Sequence, residues 1–473
     1  MLKLYYISLK VVLMIFLIPS IIWAFVPAFP GAEGGGAESI GGRGGRIIEV
    51  TNLNNYGPGS FRAACEASGP RIVVFRVAGI IDLDGKRIII SNPYITISGQ
   101  TAPKGGITVK GHELRIKTHD VIIRYICVRT GRQDDFSEQE GDAIAIVNDC
   151  YNVIIDHCSL SWSNDENAQI WSEANASHHI TFSWNLIAEG LTYNHGSCGF
   201  IAGSNKDALG IHDISIHHNL FMNNDKRNPL VKCRDARIIN NLIYNWHWCA
   251  TEIVGGIKVD IIGNKYKMGP ETNNSRSWEV NVRPYKGSPN FGPPGDPSIY
   301  IANNLGPHQN NPDGDNWNML WVNKSSPPAP PNISACRRLT PLEELTSPIT
   351  VHSVLDLENI ILDNVGASKR LDENGSWVSD RDSVDSRLID EYLNGKGRIP
   401  IDESSVKGYP TIAPSTPPKD SDHDGMPDTW EIAKELNPTD SSDGSRIARK
   451  IYTNVEKYLN GSLLPPSNIR LDN

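Results

Sequence analysis

The sequence has no long apolar run after its first 25 residues, so no later segment is apolar enough to span a bilayer. Lys3 and Lys10 precede an apolar stretch at residues 11–25, and the small residues Ala24 and Ala28 stand at its end. This pattern predicts a signal peptide, with a signal anchor or a core strand as the alternatives. We therefore expect a secreted or periplasmic protein with no membrane segment in its mature form.

The chain also lacks an excess of positive charge. Its formal net charge is −9, which argues against a nucleic-acid partner. The same acidic total opposes an anionic substrate, unless a bound cation or a local cluster of basic residues offsets it.

Metal-binding cysteine motifs and two-residue hairpin turns are missing as well. The eight cysteines match neither a metal-binding spacing nor a dense disulfide framework. Turn signals between the β-branched segments are scarce, which disfavours the alternative of a sandwich built from hairpins.

Internal repetition is the main positive signal. Short β-branched segments recur at irregular spacing, and each carries a polar residue near its end. Aligning them places five asparagines in one column: Asn185, Asn219, Asn241, Asn264 and Asn304. A fixed strand pattern with loops of variable length predicts an all-β, right-handed parallel β-helix, in which stacked amides hydrogen-bond along the axis.

Two further features refine this fold. Ser60 precedes a short helical pattern, which predicts a capped helix covering the N-terminal end of the coils. Cys127 and Cys158 align in one column of adjacent coils, and we expect them to be buried thiols, because stacked positions suit a disulfide poorly. The expected organisation is a signal peptide at residues 1–24, a β-helix domain at 25–340, a C-terminal extension packing on it at 341–409, a Pro/Ser/Thr linker at 410–418 and a small α-rich acidic tail at 419–473.

The tail contains the most specific motif in the chain. Residues 420–431 place oxygen donors and a glycine with the spacing of an EF-hand Ca²⁺ loop. The predicted ligands are Asp420, Asp422, Asp424, Asp428 and Glu431. A second loop that usually accompanies such tails carries cations and apolar residues here, so we expect one working loop with a structural role.

Acidic and basic residues also recur across neighbouring predicted coils. Glu140 and Asp142 precede one coil, Asp165 and Glu166 the next, and the stretch at residues 226–232 carries three cations. Stacking of coils can bring such side chains together on one exposed face. Each of these groups alone is weak evidence for a functional site, but their order and their coil spacing together are much stronger evidence.

With these motifs, the chain resembles the pectate lyases of polysaccharide lyase family one. The resemblance covers most of the mature chain ahead of the linker, and it includes Gly141-Asp142, Asp156-His157 and Arg227-Asn228-Pro229. It implies a calcium-dependent enzyme that cleaves de-esterified homogalacturonan (pectate), an acidic plant cell-wall polysaccharide, by β-elimination. We expect a monomer with Ca²⁺ as its cofactor.

The resemblance also implies roles for individual residues. Asp142 matches a Ca²⁺ ligand, and Glu140, Asp165 and Glu166 are further candidates. Arg227 matches the catalytic base, with a carboxylate clamp as the alternative role. Lys232 falls where the family often has another Arg, and we expect it to take part in catalysis by pairing with a carboxylate. Lys226, Arg234 and His195 are expected to bind substrate, and Asp156-His157 is interpreted as structural.

Two departures from the family pattern stand out. A second carboxylate expected four residues after Glu166 falls near Gln169 or Ile170, so the Ca²⁺ shell is expected to be thinner or completed by water. A family Lys is missing, and His195 occupies that region as its possible substitute. The rival functions are a pectin lyase, a β-helix glycoside hydrolase and a non-catalytic β-helix glycan-binding protein.

Overall fold

The computed structural model describes residues 26–133, 141–173, 176–192, 196–322, 332–448 and 451–461. The predicted signal peptide, Glu140 and His195 lie outside these ranges. Among the described residues, no helix combines the length and the apolar character needed to cross a membrane.

Three long parallel sheets form the body of the protein, and successive strands within each sheet come from successive coils. Sheet A has ten strands: Arg46–Val50, Arg71–Phe75, Ile95–Ser98, Val121–Arg124, Tyr151–Asp156, Ser177–Ser183, Ile211–His217, Asp235–Ile239, Lys258–Ile262 and Ser298–Ala302. Sheet B has eight: Gly79–Asp82, Ile107–Lys110, Cys127–Arg129, Ser159–Ser161, Leu186–Ala188, Leu220–Met222, Leu242–Tyr244 and Lys265–Lys267. Sheet C has nine: Ile88–Ile90, Leu114–Ile116, Ile144–Val147, Glu166–Trp171, Cys198–Gly203, Leu230–Lys232, Thr251–Val254, Val280–Arg283 and Leu320–Val322. The right-handed parallel β-helix predicted from the repeats is confirmed.

Rows of aliphatic and aromatic side chains fill the inside of the coils. In sheet A, Ile97, Ile123, Ile155, Phe182 and Ile216 follow one another in register, and each is fully buried. Because β-branched residues favour extended backbone and alternate positions face inward, each coil contributes to one continuous core.

The asparagine column predicted from the alignment is present between sheets A and B. The side-chain oxygen of Asn219 accepts hydrogen bonds from the backbone N–H and the amide of Asn185, at 2.9 and 3.0 Å. The same pairing repeats along the column and ends at Asn316, which accepts from Asn304 at 2.6 and 3.0 Å. The ladder is therefore one residue longer than the alignment indicated.

Two local predictions have different outcomes. The hydroxyl of Ser60 accepts from the N–H of Ala63 at 3.2 Å and caps helix α1 (Phe61–Glu66), as expected. The column of Cys127 and Cys158 was wrong by one position, because Cys127 pairs in register with Ser159. Both cysteines are buried free thiols.

The C-terminal extension packs against sheet B through helices α2 (Leu357–Asn364) and α3 (Ser383–Leu393), with a small hairpin, Lys369–Leu371 and Trp377–Ser379, between them. Arg129, which is fully buried, donates to Asp382 at 2.5 Å and to Asp385 at 2.6 Å. A buried cation with two carboxylate partners fixes the extension to the coils, because either charge alone would be costly to bury.

The acidic tail lies against the outer face of sheet A. It contains helices α4 (Asp428–Ala433) and α5 (Asn454–Leu459) and a two-stranded ribbon, Ile447–Ala448 with Tyr452–Thr453. Trp430 and Tyr458 pack with Ile72 and Val74 of sheet A. The expected linker at 410–418 also contacts the coils, since Arg76 donates to the carbonyl of Pro418 at 2.5 Å.

Candidate functional site

The loops that lead from sheet B into sheet C lie side by side at one edge of the β-helix. The register pairs Ile144 with Ala168 and Glu166 with Cys198, and a bridge joins Cys198 to Lys226. Because the strands are parallel, residues just ahead of each strand come from successive coils and become neighbours. This edge holds five of the sequence-predicted site residues: Asp142, Asp165, Glu166, Lys226 and Arg227.

Three carboxylates form the acidic part of the site. Asp142 is fully buried, and its Oδ1 accepts the backbone N–H of Glu166 at 3.0 Å. Glu166 is only 1% exposed. An oxygen of Asp165, an oxygen of Glu166 and the sulfur of Cys198 lie within 4.8 Å of one another. Burial raises the pKa of the Cys198 thiol well above its usual value, so this sulfur is a neutral neighbour at physiological pH.

Arg227 lies directly beside these carboxylates. Its guanidinium contacts Glu166 and lies 3.9 Å from Oδ1 of Asp165. Burial lowers the pKa of Arg227, the neighbouring carboxylates of Asp165 and Glu252 oppose this shift, and the charge of Arg283 reinforces it. Burial and the charge of Arg283 thus outweigh the acidic neighbours, and the net shift of the Arg227 pKa is downward.

Lys232 is the last residue of the sheet C strand that follows Arg227, Leu230–Lys232. Its Nζ donates to Oδ1 of Asn205 at 2.6 Å and lies 4.5 Å from the centre of the Trp171 ring. Burial, followed by the charges of Arg227 and Arg283, lowers the pKa of Lys232 to about 8. Lys232 is therefore an ammonium that can lose its proton in a mildly alkaline solution.

Sequence reasoning missed four residues around this site: Asn205, Trp171, Glu252 and Arg283. Glu252 accepts from Arg283 at 3.1 Å on the face of sheet C that carries Lys232. No motif marks them, because each comes from a different coil and the register alone brings them together. The outward alternation of Trp171, Glu252 and Arg283 along their strands was a signal in the sequence, whereas Asn205 follows a strand and has none.

The remaining predicted residues separate into two groups. Lys226 is half-buried in the loop that carries Arg227, next to Cys198. Arg234 lies at the corner between sheets C and A, where its guanidinium is 2.8 Å from Asp235 and 3.7 Å from Asp213. Lys226 therefore lies beside the group of Asp165, Glu166 and Arg227, whereas Arg234 points away from that group and pairs with Asp235 and Asp213. Gln169 donates to Glu166 at 3.4 Å, whereas Ile170 is in the core.

The donor set of this edge suits a hard cation. Ca²⁺ binds six to eight oxygen atoms, mostly from carboxylates, carbonyls and water. Asp165 and Glu166 have oxygens close to each other, Asp142 accepts the N–H of Glu166, and Arg227 contacts Glu166, so these three carboxylates are the ones that could hold such a cation. Three carboxylates leave positions for water or for a carboxylate of a ligand.

A second acidic group lies in the tail. Oxygens of Asp420, Asp422 and Asp424 lie within 4.8 Å of one another, and so do those of Asp424, Glu431 and Asp443. Glu431 is fully buried, and neither of its carboxylate oxygens has a hydrogen-bond partner among the described residues. Unpartnered, buried carboxylate oxygens indicate a cation site.

The electrostatics of the tail group agree with this interpretation. Burial, with the repulsion of the neighbouring carboxylates, raises the pKa of Asp424 to about 7 and that of Glu431 to about 8. Asp443, which the sequence analysis missed, joins the group. Asp428 instead accepts from the N–H of Ser421 and from Lys419, both at 2.7 Å, so its carboxylate braces the loop.

The fold and this edge define a parallel β-helix protein in which carboxylates and an arginine meet at the edge of sheet C. A probable pectate lyase C of Aspergillus terreus is 35% identical over 450 residues, covering 93% of this chain and 94% of that protein. The probable pectate lyase C of Aspergillus flavus is 34% identical over 448 residues, with the same coverage of both chains. No family model matches.

Solved structures with a similar fold have lower identities. A mutant of the Bacillus subtilis pectate lyase has a TM-score of 0.49 at 14% identity and covers 73% of this chain and 98% of its own. A pectate lyase bound to hexasaccharide has a TM-score of 0.49 at 15% identity and covers 73% of this chain and 99% of its own. From its full-length relatives, this chain belongs to the pectate lyase family and is a polysaccharide lyase.

Proposed function

We propose that the protein is a calcium-dependent pectate lyase that cleaves de-esterified homogalacturonan by β-elimination. The observation that supports this most is the meeting of Asp142, Asp165 and Glu166 with Arg227 at one edge of sheet C. Carboxylates of this kind hold a cation, and the cation together with the adjacent basic residues holds an acidic polymer. An acidic protein needs such a local arrangement to bind a polyanion.

The difficult step is removal of the proton at C5 of a galacturonate, which is α to a carboxylate. Ca²⁺ held by Asp142, Asp165 and Glu166 would withdraw charge from that carboxylate and would stabilise the carbanion-like transition state. In our proposal Arg227 accepts the C5 proton as the C4–O bond breaks, and the electron pair of the C5–H bond forms the C4–C5 double bond. The leaving-group oxygen takes a proton from water.

The neighbouring residues prepare Arg227 for this role. Glu166 contacts the guanidinium of Arg227, and a Ca²⁺ ion held at this edge would compete with Arg227 for that carboxylate. Burial and Arg283 favour the neutral form of Arg227, as a general base requires. Lys232 and Lys226 would pair with substrate carboxylates, and Asn205 orients the Lys232 ammonium at 2.6 Å.

The test of this function is product absorbance. Polygalacturonate should yield an unsaturated, ultraviolet-absorbing product with Ca²⁺ and none with a chelator. Highly methyl-esterified pectin should react poorly, because its esters cannot bridge to a cation. Preference for esterified pectin without Ca²⁺ would instead establish a pectin lyase, and binding without product would establish a glycan-binding protein.

For the tail we propose a structural Ca²⁺ site formed by Asp420, Asp422, Asp424, Glu431 and Asp443. These carboxylates belong to the tail, which packs on sheet A. Arg227 lies at the edge of sheet C, so an ion in the tail would not take part in the elimination. We further propose that the mature enzyme is a secreted or periplasmic monomer, since its polymeric substrate lies outside the cell.

A further inference from the structure

Three tryptophans lie along sheet C beyond the candidate site. Trp248, Trp278 and Trp321 belong to the first, second and third coils after the strand that follows Arg227. Trp248 is 46% exposed, although a large aromatic side chain is usually buried. Together with Arg276 these side chains line a shallow pocket, which we call the aromatic patch.

The aromatic patch is continuous with the loop that carries Arg227. The backbone N–H of Trp248 donates to the carbonyl of Asp225, two residues before Arg227, at 2.7 Å. Further along the axis, Trp321 pairs in register with Asn281, which pairs with Glu252. Because parallel strands are about 4.8 Å apart, the patch extends over about 5 to 14 Å from the coil of Arg227. A polymer lying along sheet C from Arg227 would pass over it.

Charge in the patch comes from Arg276. Its guanidinium lies 3.6 Å from the centre of the Trp248 ring. Within the described part of the chain it has no acidic partner, whereas Arg227 contacts Glu166 and Arg283 donates to Glu252. An arginine stacked on an indole keeps its N–H groups available at the ring edge, where they can bind a carboxylate.

We propose that the aromatic patch is a remote subsite for a galacturonate unit of the polymer, a few units from the scissile bond. The apolar face of the sugar ring packs on the tryptophans, and its carboxylate pairs with Arg276. This inference rests on the proposed pectate lyase activity and adds a determinant of chain-length preference. Such a subsite binds ground state and transition state equally, so it affects KM and leaves kcat unchanged.

The experiment compares steady-state kinetics on oligogalacturonates of increasing length and on polygalacturonate. The variants are Trp248→Ala and Arg276→Gln. The matched control is Tyr56→Ala. Tyr56 is 54% exposed and the guanidinium of Arg62 lies 4.6 Å from the centre of its ring, so it resembles Trp248, but it lies at the N-terminal end of the β-helix. Each variant should raise KM about three- to tenfold on long substrates, as expected for loss of one stacking or cation contact. The shortest cleaved oligomers and the control should show unchanged KM, and kcat should not change.

The outcomes are distinguishable. A KM that is unchanged at every length, or raised equally at every length, overturns the subsite. An effect of Trp248→Ala without one of Arg276→Gln overturns the assignment to an acidic sugar, because an esterified or neutral unit would then occupy the patch. If the unmodified enzyme forms no unsaturated product, the proposed function fails and the subsite fails with it.

Discussion

The carboxylate of Glu166 contacts the guanidinium of Arg227, so the acidic and basic parts of the site meet directly. Glu166 also lies next to Asp142, which accepts its backbone N–H at 3.0 Å. One carboxylate therefore connects the expected metal ligands with the expected base. Removing the charge of Glu166 should therefore affect both metal binding and the position and pKa of the Arg227 guanidinium.

The first prediction concerns the calcium requirement of the active site. Asp142→Asn and Glu166→Gln each keep the side-chain shape and remove one negative ligand. Each should raise the Ca²⁺ concentration for half-maximal activity by on the order of tenfold or more. Titrating activity against free Ca²⁺ measures this, with Asp428→Asn in the tail as the control that should match the unmodified enzyme. Wild-type calcium dependence in both variants would mean that the metal lies elsewhere.

The second prediction concerns Lys232 and pH. Its pKa of about 8 means that the ammonium is charged below pH 8 and neutral above it. Substrate binding should weaken as the pH rises through 8, visible as an increase in KM on polygalacturonate. Lys232→Arg keeps its charge throughout and should remove that increase. If the two enzymes show the same change in KM between pH 7 and 9, Lys232 does not pair with substrate.

The third prediction concerns the calcium-free tail. The raised pKa values of Asp424 and Glu431 mean that the folded tail keeps protons that the unfolded chain has lost near neutral pH. Without Ca²⁺, stability should therefore fall as the pH rises from about 4 towards 8. Added Ca²⁺ should restore it, because the ion binds only the folded loop.

Thermal unfolding with a chelator across this pH range measures the effect. Glu431→Gln should flatten the dependence on pH and weaken the response to Ca²⁺, while the control Asp440→Asn should change neither, since the Asp440 side chain is 38% exposed and pairs with Arg446 at 3.0 Å. A chelated protein whose Tm is constant from pH 4 to 8 would argue against a tail metal site.

The fourth prediction separates the tail from catalysis. Deleting the chain from residue 419 onward should lower Tm by at least ~5 °C, because Ile72 and Val74 of sheet A lose their cover. Activity at low temperature should be retained, since the tail packs on sheet A and the site lies at the edge of sheet C. A truncated enzyme that is folded but inactive would connect the tail to the site.

Much of the fold was predictable because each coil repeats one local pattern. The asparagine column followed from sequence alone, since Asn185 and Asn219 occupy equivalent positions in their segments and stack by hydrogen bonds. The register of Cys127 against Ser159 was missed by one residue, because the turn between strands does not mark where pairing begins.

Contacts between distant parts of the chain were less predictable. A linker rich in Pro, Ser and Thr indicated a separate tail, yet Trp430 and Tyr458 pack on sheet A. Nothing local in the sequence shows that Ile72 and Val74 have a partner about 350 residues away, since their outward positions read as exposed strand residues. Asp443 was missed for a similar reason, because the fold of the loop, and not the spacing of the motif, brings it to Glu431.

The proposed role of Arg227 as the general base can be tested by comparing Arg227→Lys with the unmodified enzyme. Arg227→Lys keeps one positive charge but loses the planar guanidinium and moves the basic nitrogen. If Arg227 is the base, kcat on polygalacturonate should fall by on the order of 10²–10⁴, with little change in KM or in Tm. Activity of the unmodified enzyme should continue to rise with pH well above neutrality, measured under saturating substrate.

The contrary result is equally clear. A loss confined to KM, with kcat retained in Arg227→Lys, would make Arg227 a clamp for a substrate carboxylate. A plateau of activity near pH 7, together with an active Arg227→Lys and an inactive His195→Ala, would assign the base to His195. The decisive measurement is therefore kcat for Arg227→Lys at saturating polygalacturonate and Ca²⁺. If Arg227 is the base, kcat falls by at least about a hundredfold, whereas turnover near that of the unmodified enzyme would rule Arg227 out as the base.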